Sequence, residues 1–188
     1  MKASKQIPRT MEGRTETALL VIDVQQGLFK KSAPIYKAEA LLQNINALVD
    51  RAHAAGVPVF YVQHSDKRSL VEGSDDWQLH ADLHPLDTDS VILKTHGNAF
   101  EETDLDEALE FRNVGRLVVA GLVTHGCVRA TCLGARELGY TVTLVKDAHS
   151  NFSKQAAQII EEWHGKLSAA GVALKSTSEL TYPCPSDR

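Results

Sequence analysis

Cys127 stands in the run LVVAGLVTHGCVRATCLGARELG (117–139), where an apolar stretch reaches a glycine and a helix is about to begin. A thiol attacks only as thiolate, and a cysteine at a helix N-terminus has that form favoured by unpaired N–H groups and the positive end of the helix dipole. The same N–H groups, with Gly126 relaxing the turn, can cradle an oxygen that gains negative charge when a carbonyl is attacked. Removing the thiol proton needs a base. Asp23, closing the apolar run ALLVIDV (18–24), is suited to that role, because a carboxylate partly buried at a strand end has a raised proton affinity. Lys94, closing VILK (91–94), keeps such an acid ionised and steadies developing charge, provided its strand neighbours the first. Singly, each residue has an ordinary explanation: a cysteine is commonly a small hydrophobe, as Cys132 is read to be, with Cys184 incidental between two prolines, and an aspartate after a strand is commonly a turn former. Three compatible groups at one sheet edge make a stronger case.

The elements that must position them follow from hydrophobic periodicity. ALLVIDV reads as a strand buried on both faces, as in parallel sheets. From Tyr36 to Ala55, Leu41, Leu42, Ile45, Leu48, Val49 and Ala52 recur at spacings of three and four before Gly56, predicting an amphipathic helix. VPVFYVQ (57–63), VILK, RLVVAG (116–121), YTVTLVKDA (140–148) and a last edge strand GVALKST complete about six strands, with helices near 105–111, 126–138 and 154–169. Strands alternating with helices require crossover connections and so predict a Rossmann-like three-layer α/β/α sandwich around a six-stranded, mostly parallel sheet. Ligands in such folds bind beyond the carboxyl ends of the strands, where Asp23, Lys94 and Cys127 lie.

The 188 residues, 43% of them hydrophobic, suit one domain, expected over 17–180 between a flexible N-terminal tail (1–16) and a C-terminal tail (181–188). A formal charge of −4, with 24 acidic and 20 basic side chains intermixed, offers no basic stripe for nucleic acid. The polar start lacks a leader-like apolar segment and no run is long enough to cross a bilayer, so a cytoplasmic protein without a membrane partner is expected. DVQQGLF after the first strand carries no Gly-x-Gly-x-x-Gly or phosphate-loop pattern, which argues against a nucleotide cofactor.

Four segments in order, ALLVIDVQQGLF, VILKTHGNAFEETDL, VVAGLVTHGCVRATCLGARELGY and VKDAHS, resemble the isochorismatase-like cysteine hydrolases, which include nicotinamidases and N-carbamoylsarcosine amidase. The resemblance runs from about Ala18 to Ser176. It implies an Asp23, Lys94, Cys127 triad working through a thioester. It also implies a cis peptide at Leu122–Val123 that aims the Val123 N–H, with that of Cys127, at an oxyanion, and a homo-oligomer, a dimer or tetramer. Nicotinamidases carry a metal on an Asp-x-His pair and further histidines after the second strand. Here that place reads QHSDKRSLVEGSDDWQLH, with His64 and Asp66 in reverse order and His80, Asp82 and His84 further on, so no metal or other cofactor is expected.

The 27 residues from His64 to Ser90 show no periodicity and are expected to cover the site. Gln25, Leu28, Trp77, Phe100 and His125 are candidate substrate contacts, Gln25 because it should share the side of the strand that carries Asp23; His149 is expected to order the end of the fifth strand. The activity expected is hydrolysis of an amide, carbamoyl or ureido C–N bond of a small molecule. The alternatives are a vinyl-ether hydrolase of the isochorismatase type, relying on Asp23 alone, and a non-catalytic or redox-sensitive binding protein.

Overall fold

The computed structural model describes Met11 and residues 13–182. Cys184 and most of both expected tails lie outside the described residues. Strand β1 (Glu16–Ile22) begins inside the stretch expected to be a tail, and a short helical turn α1 (Gln26–Phe29) follows it. Helix α2 (Ala38–Ala54) leads to β2 (Val59–His64) and, after the long irregular segment, to β3 (Ser90–Lys94). Then come α3 (Leu105–Phe111), β4 (Val114–Leu122), a π-helical turn (Thr124–Val128), α4 (Arg129–Glu137), β5 (Thr141–Ser150), α5 (Ala156–Ala169) and β6 (Ala173–Lys175). Helix α2 starts two residues later than the periodicity suggests, because Lys37 takes a left-handed φ of 50° and sets the chain's entry angle.

The six strands lie in the order β3-β2-β1-β4-β5-β6 and every pairing among them is parallel. Side chains in the centre of this sheet alternate between its two faces. Leu19, Val21, Val59, Tyr61, Val118 and Ala120 pack under the apolar stripe of α2. Ala18, Leu20, Ile22, Phe60, Val62, Leu117 and Val119 face the opposite layer, built with Leu105, Leu109, Cys132, Ala135 and Leu167 of α3, α4 and α5. Continuous apolar runs are what a sheet covered on both faces demands.

Strand order reverses between β1 and β4, so the crevice where an open α/β sheet takes its ligand opens just beyond Ile22 and Leu122. Gly121, at φ 119°, brings the two strands together there: a Cβ at this position would sit 2.1 Å from the Ile22 carbonyl oxygen, a contact only glycine avoids. One expectation needs correction. Strand β3 does not neighbour β1; β2 separates them, and the Lys94 side chain must reach past a whole strand.

Candidate active site

Asp23 follows β1 with φ 52°, a left-handed conformation that aspartate tolerates better than most residues. Its N–H donates to Val62 O (2.8 Å), tying the turn to β2, and its carbonyl accepts the Gln25 N–H (2.9 Å). The carboxylate is buried, with Oδ2 accepting a hydrogen bond from Lys94 Nζ at 2.8 Å. Lys94 Nζ also contacts His64 Nδ1 at 3.2 Å and donates to His96 O at 3.2 Å, so all three ammonium protons have an acceptor. His64 is the bridge that sequence reasoning missed. It ends β2 in register with Lys94, and its ring stands beside the lysine's path to Asp23. Burial and the neighbouring ammonium both lower its pKa, which leaves Nδ1 a neutral acceptor. The strand order, had it been available, would have revealed it.

Cys127 is half-buried in the π-helical turn. Asp23 Oδ1 is buried without a hydrogen-bond partner of its own, and the Cys127 thiol lies close enough to the carboxylate for each to shift the other's titration. Burial pushes the Asp23 pKa up, against the opposing pull of Lys94. The thiol is pushed up to about 11, by burial first and by the Asp23 charge second, with Lys94 again opposing. The thiolate-favouring effect expected of a helix N-terminus is therefore not the dominant one at Cys127. Regular helix begins only at Arg129, Gly126 lies outside helical geometry (φ −111°, ψ −114°), and the dipole of α4 is outweighed by desolvation and a facing carboxylate. The Leu122–Val123 peptide is cis, and the Val123 carbonyl accepts the Gly126 N–H at 2.9 Å and the Val128 N–H at 3.4 Å, folding the turn back on itself.

The other candidate contacts fare differently. Gln25 is completely buried and does not orient Asp23. Its Nε2 donates to His64 O (2.9 Å) and Trp77 O (2.8 Å), and its Oε1 accepts the His64 N–H (2.9 Å). Strand parity failed as a guide because the left-handed turn at Asp23 intervenes between the two residues. Gln25 is a clamp joining β1, β2 and the covering segment. Replacing it by alanine leaves buried backbone groups unpaired and is expected to lower stability by about 2–4 kcal/mol in urea unfolding.

Leu28 belongs to the core beneath α2. Phe100 packs on Tyr140, ring centres 5.5 Å apart, in the opposite core. Trp77 is held by Nε1 donating to Ser65 Oγ (2.9 Å), while its carbonyl takes the amides of Gln25 and Gln63. His125 is exposed. The covering segment runs beside the chain that follows Asp23, with Gln26 N–H on Gln78 O and His80 N–H on Val24 O, both 2.9 Å.

The residues after β2 that could have served as ligands have other partners. His64 directs Nδ1 at an ammonium group, and Asp66 Oδ1 accepts the N–H groups of Arg68, Ser69 and Leu70 while Oδ2 accepts the Ser69 hydroxyl. His80 packs on the Phe29 ring and His84 on Asp50. Among the described residues, no three His, Cys, Asp or Glu side chains are arranged to hold an ion, and no helix is long and apolar enough to cross a membrane.

The family model described as "Isochorismatase domain" matches residues 17–161. The isochorismatase family protein YddQ of Bacillus subtilis is 35% identical over 137 residues, covering 70% of this chain and 76% of YddQ. Streptothricin hydrolase of Streptomyces noursei is 33% identical over 147 residues; the match takes in 77% of this chain but only 53% of that protein. Ureidoacrylate amidohydrolase RutB of Agrobacterium fabrum is 28% identical, with 71% and 75% covered. A crystal structure of an isochorismatase family protein superposes with a TM-score of 0.81 at 33% identity, covering 89% of this chain and all of the other.

Proposed function

We propose, from the premise that this chain belongs to the isochorismatase family of hydrolases, that it cleaves a C–N bond of a small carboxamide, carbamoyl or ureido compound through a thioester on Cys127, within one domain over residues 17–180. The observation that carries the reading is the buried Asp23–Lys94 pair, 2.8 Å apart, with the Cys127 thiol in electrostatic contact with both. That a relative bears the name amidohydrolase supports the choice of bond.

As Sγ attacks the carbonyl carbon, the thiol proton passes to Asp23, and the carbonyl oxygen becomes an oxyanion received by the N–H groups of Val123 and Cys127. Collapse breaks the C–N bond, and Asp23 gives its proton to the departing nitrogen. Water then attacks the thioester while Asp23 takes its proton; the C–S bond breaks, the acid leaves, and Sγ recovers the proton. A thiol with a pKa near 11 supplies almost no thiolate at neutral pH, so proton transfer must accompany attack. A carboxylate whose proton affinity is raised by burial is the better base for that step. Lys94, 2.8 Å from Asp23 Oδ2, favours the ionised form of Asp23 between proton transfers.

The test is a panel of amides and ureides assayed for ammonia, with intact-mass detection of an acyl adduct. Ammonia release and an adduct on Cys127 are expected from the native chain. Pyruvate release from a vinyl-ether substrate that survives Cys127→Ala would replace this reading with the isochorismatase type. A homo-oligomer forms part of the proposal on the family resemblance alone; light scattering should give a multiple of 20.6 kDa.

A further inference from the structure

Behind the nucleophile's turn, on the side away from Lys94, lies a chain of buried polar groups that the triad does not use. Thr124, completely buried, is the first residue of the π-helical turn, and its Oγ1 lies 2.9 Å from His149 Nδ1. His149, at the end of β5, has its Nε2 2.9 Å from His164 Nε2 on α5. His164 Nδ1 lies 3.5 Å from the carboxylate of Glu161, which is 85% exposed. Three elements are thus connected through side chains alone, from the surface of α5 to a residue three positions before Cys127.

The carboxylate at the outer end favours one direction for the chain. With a proton on His164 Nδ1, facing Glu161, His164 Nε2 is an acceptor and His149 Nε2–H donates to it. His149 Nδ1 is then bare and accepts the Thr124 hydroxyl. Every link has one donor and one acceptor only while both rings are neutral. We propose that Thr124, His149 and His164 form a positioning relay that anchors the turn bearing Cys127 to β5 and α5 and transmits the protonation state of α5's surface to that turn. The inference rests on Cys127 being the nucleophile.

If His164 gains a second proton, its Nε2–H meets His149 Nε2–H, and the chain can survive only if His149 moves its proton to Nδ1. That turns a donor on Thr124 Oγ1 and displaces the hydroxyl proton that held the turn. The surroundings keep the rings neutral near pH 7. Burial and the neighbouring ring lower the His149 pKa to about 3. Burial likewise lowers that of His164 against the opposing pull of Glu161, while Lys146 of β5 acts both ways, its charge lowering the pKa and its backbone hydrogen bond raising it. Lys37, before α2, shares a cavity of about 350 Å³ with Tyr36, Lys146, Asp147 and His149, while Arg129 of α4 is held over the Trp163 ring, 5.0 Å from its centre. Among the described residues, the carboxylate that shares this cavity with His149 is Asp147, which accepts the Thr177 N–H and hydroxyl at 2.8 Å. Because the folded pKa values lie below the usual 6.5, this network supports the fold above that pH and weakens it as pH falls.

Two readouts on the full chain test the relay. Thr124→Val, which keeps shape and loses the hydroxyl, is expected to lower kcat about tenfold with KM little changed and to raise the rate of iodoacetamide alkylation at Cys127 about threefold as the turn loosens. Thr124→Ser should restore both. Nitrogen-15 NMR should find His149 protonated on Nε2 at pH 8 and on Nδ1 once His164 titrates, and His164→Gln should abolish that exchange. A folded Thr124→Val chain with native kcat and alkylation, or a His149 tautomer indifferent to His164, overturns the relay. Asp23→Asn separates the two claims: if it leaves hydrolysis intact, the reading of the site fails, whereas loss in Asp23→Asn beside a native Thr124→Val refutes the relay alone.

Discussion

Replacing Cys127 by alanine is expected to reduce hydrolysis of any responding amide by about 10⁴-fold or more, with binding largely kept, because the thioester route is then closed. The companion variant Asp23→Asn separates a base from a mere neighbour of the thiol. The Asp23 charge raises the thiol pKa, so removing it while Lys94 stays should lower that pKa and populate more thiolate. Alkylation of Cys127 near pH 8 should accordingly quicken in Asp23→Asn, even as hydrolysis falls by roughly 10²–10⁴-fold for want of a proton acceptor and donor. Opposite movements of the two rates are the signature sought. If alkylation and hydrolysis fell together, the resting nucleophile would instead be a thiolate that accepts a hydrogen bond from a protonated Asp23. The native chain should show alkylation still climbing as pH rises toward 11, and hydrolysis should fall on the acid side as Asp23 protonates, above the ordinary carboxylate range.

How far the sequence could be read depends on which forces were local. Buried apolar runs and the three-four spacing of α2 are local, and they disclosed the α/β sheet and its layers. That Asp23, Lys94 and Cys127 occupy strand ends was equally visible, since each follows an apolar run. Strand order was not: nothing within VILK says that β2 lies between β3 and β1, so the role of His64 beside Lys94 was hidden and its only visible use was as a metal ligand. Backbone handedness at one residue defeated the parity argument for Gln25, because alternation holds only while φ stays extended. The titration of Cys127 is not legible in the sequence for a further reason. Helix dipoles can be inferred from a pattern, whereas desolvation depends on what covers the thiol, and that covering comes from chain segments distant in sequence.

Lys94→Met offers the sharpest separation of stability from activity. The pair it breaks is buried on both sides, 0% and 4% exposed, and methionine follows the lysine stem closely in shape. What is lost is charge: Asp23 keeps a buried carboxylate with no cation, a state that costs about 3–5 kcal/mol unless the acid takes up a proton. The single variant should therefore unfold at a Tm lower by roughly 10 °C and lose most hydrolysis, since a protonated Asp23 cannot accept the thiol proton. The double variant Lys94→Met with Asp23→Asn removes both charges and should recover most of that stability while remaining inactive, giving a coupling energy of about 2–3 kcal/mol in the double-mutant cycle. Additive losses would mean that the two side chains do not depend on each other. Recovery of stability without activity would show that the pair is kept for the proton it moves, since neutral residues fill the same space without the cost of burying charge.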